Sequence, residues 1–230
     1  MLCIIAAMDE EVELLVGAVK IDSVKKMPCG RAVYSAKYKD KEFILAVSGI
    51  GKVNSAVMLQ YVLDNYGIDA VINIGTAGAI AGGFKKNDVV LVDAAFQHDY
   101  DLRVFGYGKG EIPNVPKERN FFDADLKNKL KEVCARLGYE PREGTAVSGD
   151  QFVSDGKKAA ELKTEFGARV CEMEAAALLQ TAALNGFKNI ASIKSVSDNA
   201  DSDAPEDFSN LEGSKERIKN IVTGYLEFFA

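Results

Sequence analysis

Short apolar segments alternate along this chain with longer segments in which apolar residues recur at helical spacing. Residues 2–7 are continuously apolar, as expected of a strand buried on both faces of a sheet, and 70–74 and 190–196 predict two further strands. Residues 123–137 and 211–229 predict amphipathic helices. The alternation predicts a single three-layer α/β/α domain over residues 1–230, built on a central mixed, largely parallel twisted sheet.

The connections between these segments contain residues that predict a hairpin turn and two loops. Residues 32–38 and 42–48 flank a charged turn of three residues and predict a hairpin. A strand at 88–93 is followed by a long connection, 97–108, in which aromatic residues stand between glycines. Such a connection is typical of an exposed functional loop or of a contact between subunits. Residues 205–210 are predicted to form a loop before the final helix.

Acidic and hydroxyl side chains stand where several of the predicted strands end. Glu11, Thr76 and Asp198 each follow a different strand, and Glu174 follows the strand that leads into a helix ending at 185–186. Open α/β sheets bind their ligands at such strand ends, so we expect these side chains to converge. The alternative is that the acids only complement helix dipoles.

The pair Glu172 and Glu174 lies at a strand-to-helix junction. Helical residues two positions apart point roughly 200° from each other. We therefore expect that only one of these two carboxylates faces a ligand and that the other one holds the turn.

Composition restricts the partners and the compartment. A formal net charge of -6 without any block of Lys or Arg argues against a nucleic-acid or anionic-membrane partner. No apolar run reaches the roughly 18 residues of a membrane span, and the first apolar stretch meets acids at 9–11 too early for a signal peptide. We expect a cytoplasmic protein whose four cysteines are free thiols.

Sequence motifs for metals and common cofactors are incomplete. With His98 as the single histidine, a histidine-based zinc site or a Ser-His-Asp hydrolase is disfavoured. Ala46 occupies the first glycine position of a phosphate-binding loop, Ala81 the third glycine position of a dinucleotide fingerprint, and Asp203 the glycine position of an EF-hand. We therefore expect neither a metal ion nor a cofactor.

Eight short motifs, in this order and spacing, resemble the nucleoside phosphorylase/hydrolase family, and within it the nucleosidases acting on 5'-methylthioadenosine and S-adenosylhomocysteine. The motifs are A-A-M-D-E-E-V at 6–12, S-G-I-G-K-V at 48–53, N-I-G-T-A-G at 73–78, H-D-Y-D at 98–101, F-G-Y at 105–107, S-G-D-Q-F-V at 148–153, E-M-E-A at 172–175 and S-D-N-A-D at 197–201. The resemblance covers essentially the whole chain. It implies hydrolysis of an N-ribosidic bond, with release of adenine and a 5'-thioribose sugar.

The resemblance also assigns expected catalytic roles. Asp198 corresponds to the general acid that delivers a proton to N7 of the leaving adenine, with Ser197 holding it. Glu11 corresponds to the residue that positions and deprotonates the attacking water. An acid can deliver this proton only if its pKa is raised or if the hydrogen bond forms in the transition state.

The remaining expected contacts surround the nucleoside. Glu174 would accept hydrogen bonds from the ribose hydroxyls, Met173 would pack under the sugar, and Phe152 would stack on adenine while the backbone of Val153 reads the base edge. Further substrate-pocket residues on the same chain would be Met8, Ile50, Thr76, Glu172, Lys194 and Phe208. A neighbouring subunit would supply Leu102, Phe105, Tyr107 and Pro113, which implies a homodimer.

Two of these positions depart from the family's usual pattern. Thr76 stands in place of a serine and keeps the hydroxyl. Lys194 stands in place of an arginine near the ribose and Glu174, and it keeps the charge but loses the guanidinium fork. Glu172 is expected to have a structural role beside the substrate.

Three other functions remain open at this stage. A phosphorylase would use phosphate in place of water, but an anion would be repelled by the acids at 9–11. A futalosine-type nucleoside hydrolase is compatible with the same motifs, because an apolar pocket does not define the 5' group. A catalytically silent nucleoside-binding protein would be expected to lack Glu11 or Asp198, and both are present.

Overall fold

The computed structural model describes residues 1–229, which form nine strands, seven α-helices and two short 3-10 helices. The strands are β1 (Leu2–Ala6), β2 (Lys20–Lys26), β3 (Ala32–Tyr38), β4 (Lys41–Val47), β5 (Ala70–Ala79), β6 (Val89–Gln97), β7 (Arg142–Ser148), β8 (Val170–Glu172) and β9 (Ile190–Asp198). The α-helices are α1 (Asp9–Ala18), α2 (Lys52–Asn65), α3 (Ala124–Arg136), α4 (Gly156–Phe166), α5 (Ala175–Leu184), α6 (Ala204–Phe208) and α7 (Glu212–Phe228). The 3-10 helices are Arg103–Phe105 and Lys117–Asn120.

All nine strands belong to one sheet, in the order β2-β3-β4-β1-β5-β8-β7-β6-β9, and β9 also pairs with β5. That additional pairing closes β5, β8, β7, β6 and β9 into a ring, while β2, β3, β4 and β1 continue as an open sheet. Five of the nine pairings are parallel, which confirms the expected mixed, largely parallel sheet.

Helices cover both faces of this sheet, as the three-layer prediction requires. On one face, α2 and α5 pack together over a core that includes Leu59 and Leu178. On the other face, α1, α3 and α7 enclose a second core around Phe43, Leu130 and Leu226. Strands buried from both sides explain the continuous apolar runs in the sequence.

Two predicted strands end too early, one predicted loop is partly helical, and one strand was not predicted. β5 continues past residue 74 to Ala79 and β6 continues past residue 93 to Gln97, because each extension pairs with a neighbouring strand. Residues 205–208 of the loop expected at 205–210 belong to the short helix α6, in which Pro205 occupies the first turn and needs no amide partner. Strand β2 had no sequence prediction, since nearly all of its side chains are exposed.

No helix among the described residues is both long enough and apolar enough to cross a membrane.

Candidate active site

The ends of β1, β5, β8 and β9 open into one cavity of about 320 Å³, which the loop after β7 and helix α6 also border. Of the thirteen site residues expected from this chain, twelve line the cavity: Met8, Glu11, Ile50, Thr76, Phe152, Val153, Glu172, Met173, Glu174, Ser197, Asp198 and Phe208. Five lining residues were missed by the sequence reasoning: Ala7, Ala77, Gly78, Gln151 and Cys171. Most of the missed residues are small or apolar, so residue type alone offers no signal for them.

Glu11 is held at the cavity by four hydrogen bonds. Its Oε2 accepts from the backbone N–H groups of Ala7 at 3.1 Å and Met8 at 3.2 Å. Its Oε1 accepts from the backbone N–H of Thr76 at 2.8 Å and from the Thr76 hydroxyl at 3.0 Å. Asp9 and Glu10 are exposed on the same helical turn, so only Glu11 points inward.

The close approach of β5 to this carboxylate depends on a glycine. Gly75 has φ +147°, and a Cβ on it would lie 2.7 Å from Glu11 Oε1. Any side chain at this position would therefore collide with the carboxylate. Gly75 is thus a residue of β5 that makes room for Glu11.

Asp198 is the last residue of β9 and lies opposite Gly78 of β5. The Ser197 hydroxyl donates to its Oδ2 at 2.6 Å, and the Ala200 N–H donates to its Oδ1 at 2.8 Å. Burial raises the pKa of Asp198, although these two hydrogen bonds act in the opposite direction. The carboxyl therefore retains a proton at higher pH than an exposed aspartate does.

Glu172 and Glu174 both line the cavity, so the expectation that only one could face it is wrong. The helical argument does not apply, because Glu172 is the last residue of β8 and α5 begins only at Ala175. The Oε2 of Glu172 accepts from the N–H groups of Glu174 at 3.1 Å and Ala175 at 2.9 Å, and Ser148 donates its hydroxyl to Oε1. Glu172 therefore holds the turn from within the cavity wall.

Glu174 is the N-cap residue of α5, and its Oε1 accepts from the Gly51 N–H at 2.8 Å. Burial and the neighbouring carboxylates of Glu172 and Glu11 raise the pKa of Glu174 to about 7, while Lys194 and the Gly51 hydrogen bond oppose the rise. The cavity thus holds a carboxylate whose ionisation responds to pH near neutrality.

Lys194 is the expected site residue that does not line the cavity. Its Nζ lies 3.1 Å from Glu172 Oε2, and the two side chains are 2% and 1% exposed. Burial lowers the pKa of Lys194, but the charges of Glu172, Glu174 and Glu11 outweigh it and the net shift is upward. The Lys194 ammonium therefore lies behind the cavity wall, and its direct partner is Glu172 rather than Glu174.

Aromatic residues form the outer wall of the cavity. Phe152 and Phe208 pack edge to face with ring centroids 5.4 Å apart. Phe152 is 46% exposed and Ile50 is 48% exposed, so the cavity is incompletely covered on this side. The four residues expected from a neighbouring subunit, Leu102, Phe105, Tyr107 and Pro113, lie outside the cavity of their own chain.

This arrangement suits one kind of chemistry. An acid with a raised pKa and a fixed carboxylate face the same small-molecule cavity, and none of the described residues that line it is a lysine or an arginine. Such a cavity favours positive charge that develops on a bound molecule as a bond breaks. Within residues 1–229, no group of three or more His, Cys, Asp or Glu side chains is arranged to hold a metal ion.

The fold and the cavity define the class of protein: a mixed-sheet α/β protein with an acidic small-molecule site at its strand ends. The family model described as "Phosphorylase superfamily" matches residues 1–227, and the chain belongs to that family.

Among similar proteins, the 5'-methylthioadenosine/S-adenosylhomocysteine nucleosidase of Staphylococcus saprophyticus is 36% identical over 206 residues, 89% of each chain. The solved structure of the Neisseria meningitidis nucleosidase of the same name, in complex with methylthio-immucillin-A, superposes with a TM-score of 0.88 at 33% identity, covering 97% of this chain and 96% of that one. The futalosine hydrolase of Helicobacter pylori superposes with a TM-score of 0.87 at 29% identity, covering 96% of each chain.

Proposed function

We propose that this protein is an N-glycosyl hydrolase that cleaves the N-ribosidic bond of 5'-methylthioadenosine and S-adenosylhomocysteine, and that it also accepts 5'-deoxyadenosine. The products are adenine and the corresponding 5'-substituted ribose. The observation that carries the proposal is that Glu11 and Asp198, from different strand ends, line one cavity. The names of the bacterial relatives support the same substrate class.

The two acids divide the chemistry between base and sugar. Asp198 donates a proton to N7 of adenine as the bond breaks, because the unprotonated base is a poor leaving group. The ribosyl carbon then carries positive charge, and Glu11 orients and deprotonates the water that attacks it. Each contribution of this kind is typically about 10²–10⁴-fold in rate. The raised pKa of Asp198 and the four hydrogen bonds on Glu11 support these assignments.

The other lining residues bind the nucleoside. Glu174 accepts hydrogen bonds from the ribose hydroxyls, and Met173 packs under the sugar. Phe152 stacks on adenine, and the backbone of Val153 pairs with the base edge. The 5'-thio group occupies an apolar part of the cavity formed by Met8, Ile50 and Phe208. Thr76 and Ser197 support the two catalytic carboxyls through the hydrogen bonds described above.

Water is the preferred nucleophile because the cavity is anionic. A phosphorylase needs cationic groups to hold phosphate beside the sugar. The lysine behind the wall, Lys194, is already paired with Glu172. Phosphate would lie beside the carboxyl groups of Glu11 and Glu174, and none of the described residues that line the cavity is a lysine or arginine that could bind it.

The direct test is to incubate the purified protein with 5'-methylthioadenosine, with and without phosphate, and to follow adenine and the sugar product. We expect adenine and free 5-methylthioribose at the same rate in both conditions. Adenine release that requires phosphate, with a sugar phosphate as product, would refute the hydrolase assignment.

The proposed roles are tested with two isosteric variants. Glu11→Gln and Asp198→Asn should each retain the wild-type melting temperature to within a few degrees and lose about 10²–10⁴-fold in kcat. Near-normal turnover in either variant would remove that residue from the mechanism.

A futalosine-type substrate is the second candidate, because the futalosine hydrolase of H. pylori superposes over nearly the whole chain. Futalosine in the same assay separates the two functions. A higher kcat/KM for futalosine than for 5'-methylthioadenosine would favour that alternative.

We also propose that the protein acts as a homodimer in which Leu102, Phe105, Tyr107 and Pro113 of one protomer complete the 5' pocket of the other. The exposed apolar side chains of Val104 (85%) and Phe105 (74%), together with the open cavity beside Ile50, support this.

The dimer is tested by light scattering and activity of Phe105→Asp, with Val24→Asp as control because Val24 is an exposed valine on β2. We expect monomerisation and loss of turnover in the first variant only. A dimeric and fully active Phe105→Asp protein would contradict the proposal.

The biological setting belongs to the same proposal. We place the protein in the cytoplasm, where its four cysteines persist as the free thiols of the structure. There it would act as a single domain that recycles the 5'-thio nucleosides left by methyl transfer and related reactions and returns their sulfur to methionine salvage.

A further inference from the structure

The turn between β4 and α2 contacts two different parts of the cavity wall. On one side, the Gly51 N–H donates to Glu174, the proposed ribose ligand. On the other side, the N–H of Lys52 donates to Asp150 Oδ1 at 2.8 Å. Asp150 lies in the loop that carries Phe152 and Val153. The glycine-rich segment that fails as a phosphate-binding loop therefore contacts both the sugar side and the base side of the site.

Further contacts link the turn between β4 and α2 to the residues at the end of β6. Lys52 Nζ lies 2.6 Å from Asp99 Oδ1 and 3.1 Å from Gln97 Oε1. The other oxygen of Asp99 accepts the Asp150 N–H at 3.1 Å. The side chains of Lys52 and Asp99 are 17% and 23% exposed, so solvent screens this ion pair less than a surface pair.

We propose that Lys52, Asp99 and Asp150 form a clamp that positions the adenine-binding loop, which makes Lys52 and Asp99 positioning residues for the reaction. This inference rests on the proposed function, because Phe152 and Val153 are the base-binding residues only in that reading.

The clamp holds the middle of a loop whose two ends are supported in other ways. Residues 149–153 lie between the end of β7 and the start of α4. The Gly149 N–H donates to the Glu172 carbonyl and Val153 is buried, whereas Phe152 is 46% exposed. In the clamp, backbone and side chain of Asp150 are both held, one by Asp99 and one by the Lys52 N–H. A Cβ on Gly51 would lie 2.9 Å from Asp150 Oδ1, so the turn and the loop are already in close contact.

The charge state of Asp99 is consistent with this role. Burial raises its pKa, but the hydrogen bonds from Lys52 and from the Asp150 N–H outweigh that effect and hold the pKa below its ordinary value. Asp99 is therefore anionic at neutral pH and accepts from both partners at once.

The experiment uses Asp99→Asn and Lys52→Met, with Lys52→Arg as a conservative variant that keeps the ion pair. Adenine and 5-methylthioribose are titrated separately into each full-length protein by calorimetry, and KM and kcat are measured for 5'-methylthioadenosine. We expect about tenfold weaker adenine binding and a similar rise in KM in the first two variants, the size typical of one lost charge-assisted hydrogen bond. Binding of 5-methylthioribose should stay within twofold, and Lys52→Arg should restore most of the adenine affinity.

The matched control is Lys39→Met, which removes an exposed ion pair of the same 2.6 Å length, Lys39–Glu227, and neither of these residues lines the cavity. This variant should bind adenine and 5-methylthioribose with the wild-type affinities. Equal weakening of adenine and 5-methylthioribose in Asp99→Asn would show a general structural role and overturn the clamp. Unchanged adenine affinity would overturn it as well.

A failure of the clamp and a failure of the proposed function would give different results in these experiments. If the wild-type protein binds adenine but releases none from 5'-methylthioadenosine, the hydrolase assignment fails while the adenine titrations still test the clamp. If the wild type is active and the variants bind adenine normally, only the clamp fails.

Discussion

Replacing Lys194 with methionine tests the electrostatics of the whole site. The change removes the cation that pairs with Glu172 while keeping much of the side chain's length. Glu172 would keep its hydrogen bonds from Ser148 and two backbone amides but lose its ion-pair partner at 3.1 Å. Both members of the pair are at most 2% exposed, so water cannot replace the lost charge.

The expected cost follows from this burial. Removing one partner of a buried ion pair typically destabilises a protein by about 3–5 kcal/mol, because the remaining charge is left uncompensated. An exposed pair such as Lys39–Glu227 contributes far less, because water solvates and screens both charges. We therefore expect urea denaturation at pH 8 to show a loss of about 3–5 kcal/mol for Lys194→Met and a much smaller loss for Lys39→Met.

The loss of stability in Lys194→Met should depend on pH, and the pKa of Glu174 determines the direction of this dependence. Lys194 opposes the rise in the pKa of Glu174, so removing it raises that folded-state pKa further above the unfolded value. A carboxyl with a raised folded pKa stabilises the fold below its unfolded pKa, and this stability is lost as the pH rises through the folded pKa. The penalty of Lys194→Met should thus be smaller at pH 5 than at pH 8.

Lys194→Arg keeps the charge and should lose much less stability than Lys194→Met at either pH. A Lys194→Met protein within about 1 kcal/mol of wild type at pH 8 would refute the argument from the buried-pair cost. A large penalty that does not change with pH would refute the coupling to the carboxyls.

Three further predictions concern single features of the site. Gly75→Ala places a Cβ 2.7 Å from Glu11 Oε1 at φ +147°, so steady-state assays should show at least a tenfold fall in kcat; unchanged turnover would mean that Glu11 tolerates displacement. Phe152→Ala should leave thermal stability nearly unchanged because the side chain is half exposed. Calorimetry should show that adenine binds about 1–3 kcal/mol more weakly, because the stacking on the aromatic ring is lost. Unchanged adenine affinity would remove Phe152 from the base site. Burial raises the pKa of Asp198, so kcat should decline as the pH rises through that pKa, and this decline should be absent from the residual activity of Asp198→Asn.

The amino-acid pattern alone was sufficient for the architecture and for the four polar strand-end residues Glu11, Thr76, Glu174 and Asp198 of the cavity. Periodicity is a local property, so helices such as α3, α5 and α7 could be recognised from their own residues. Parallel strands present their carboxyl ends at one edge of a sheet, which is why Glu11 and Asp198 could be assigned to one place although 187 positions separate them in the numbering. The motif resemblance then supplied eight further lining residues, and five lining residues were missed.

Tertiary structure decided the contacts that depend on strand pairing and on relative position. The ring closed by β5 and β9 cannot be read from either strand alone, and it is this pairing that sets Gly78 opposite Asp198. The orientation expected for Glu172 was wrong because it assumed that the helix already includes this residue. The start of α5 depends on which carboxylate accepts its first N–H groups, and Glu172 accepts the N–H of Ala175. The side chain of Lys194 is buried on β9, where it pairs with Glu172 and does not line the cavity. Sequence periodicity describes which face of an element is buried, whereas the partner of a buried charge is determined only when distant segments pack together.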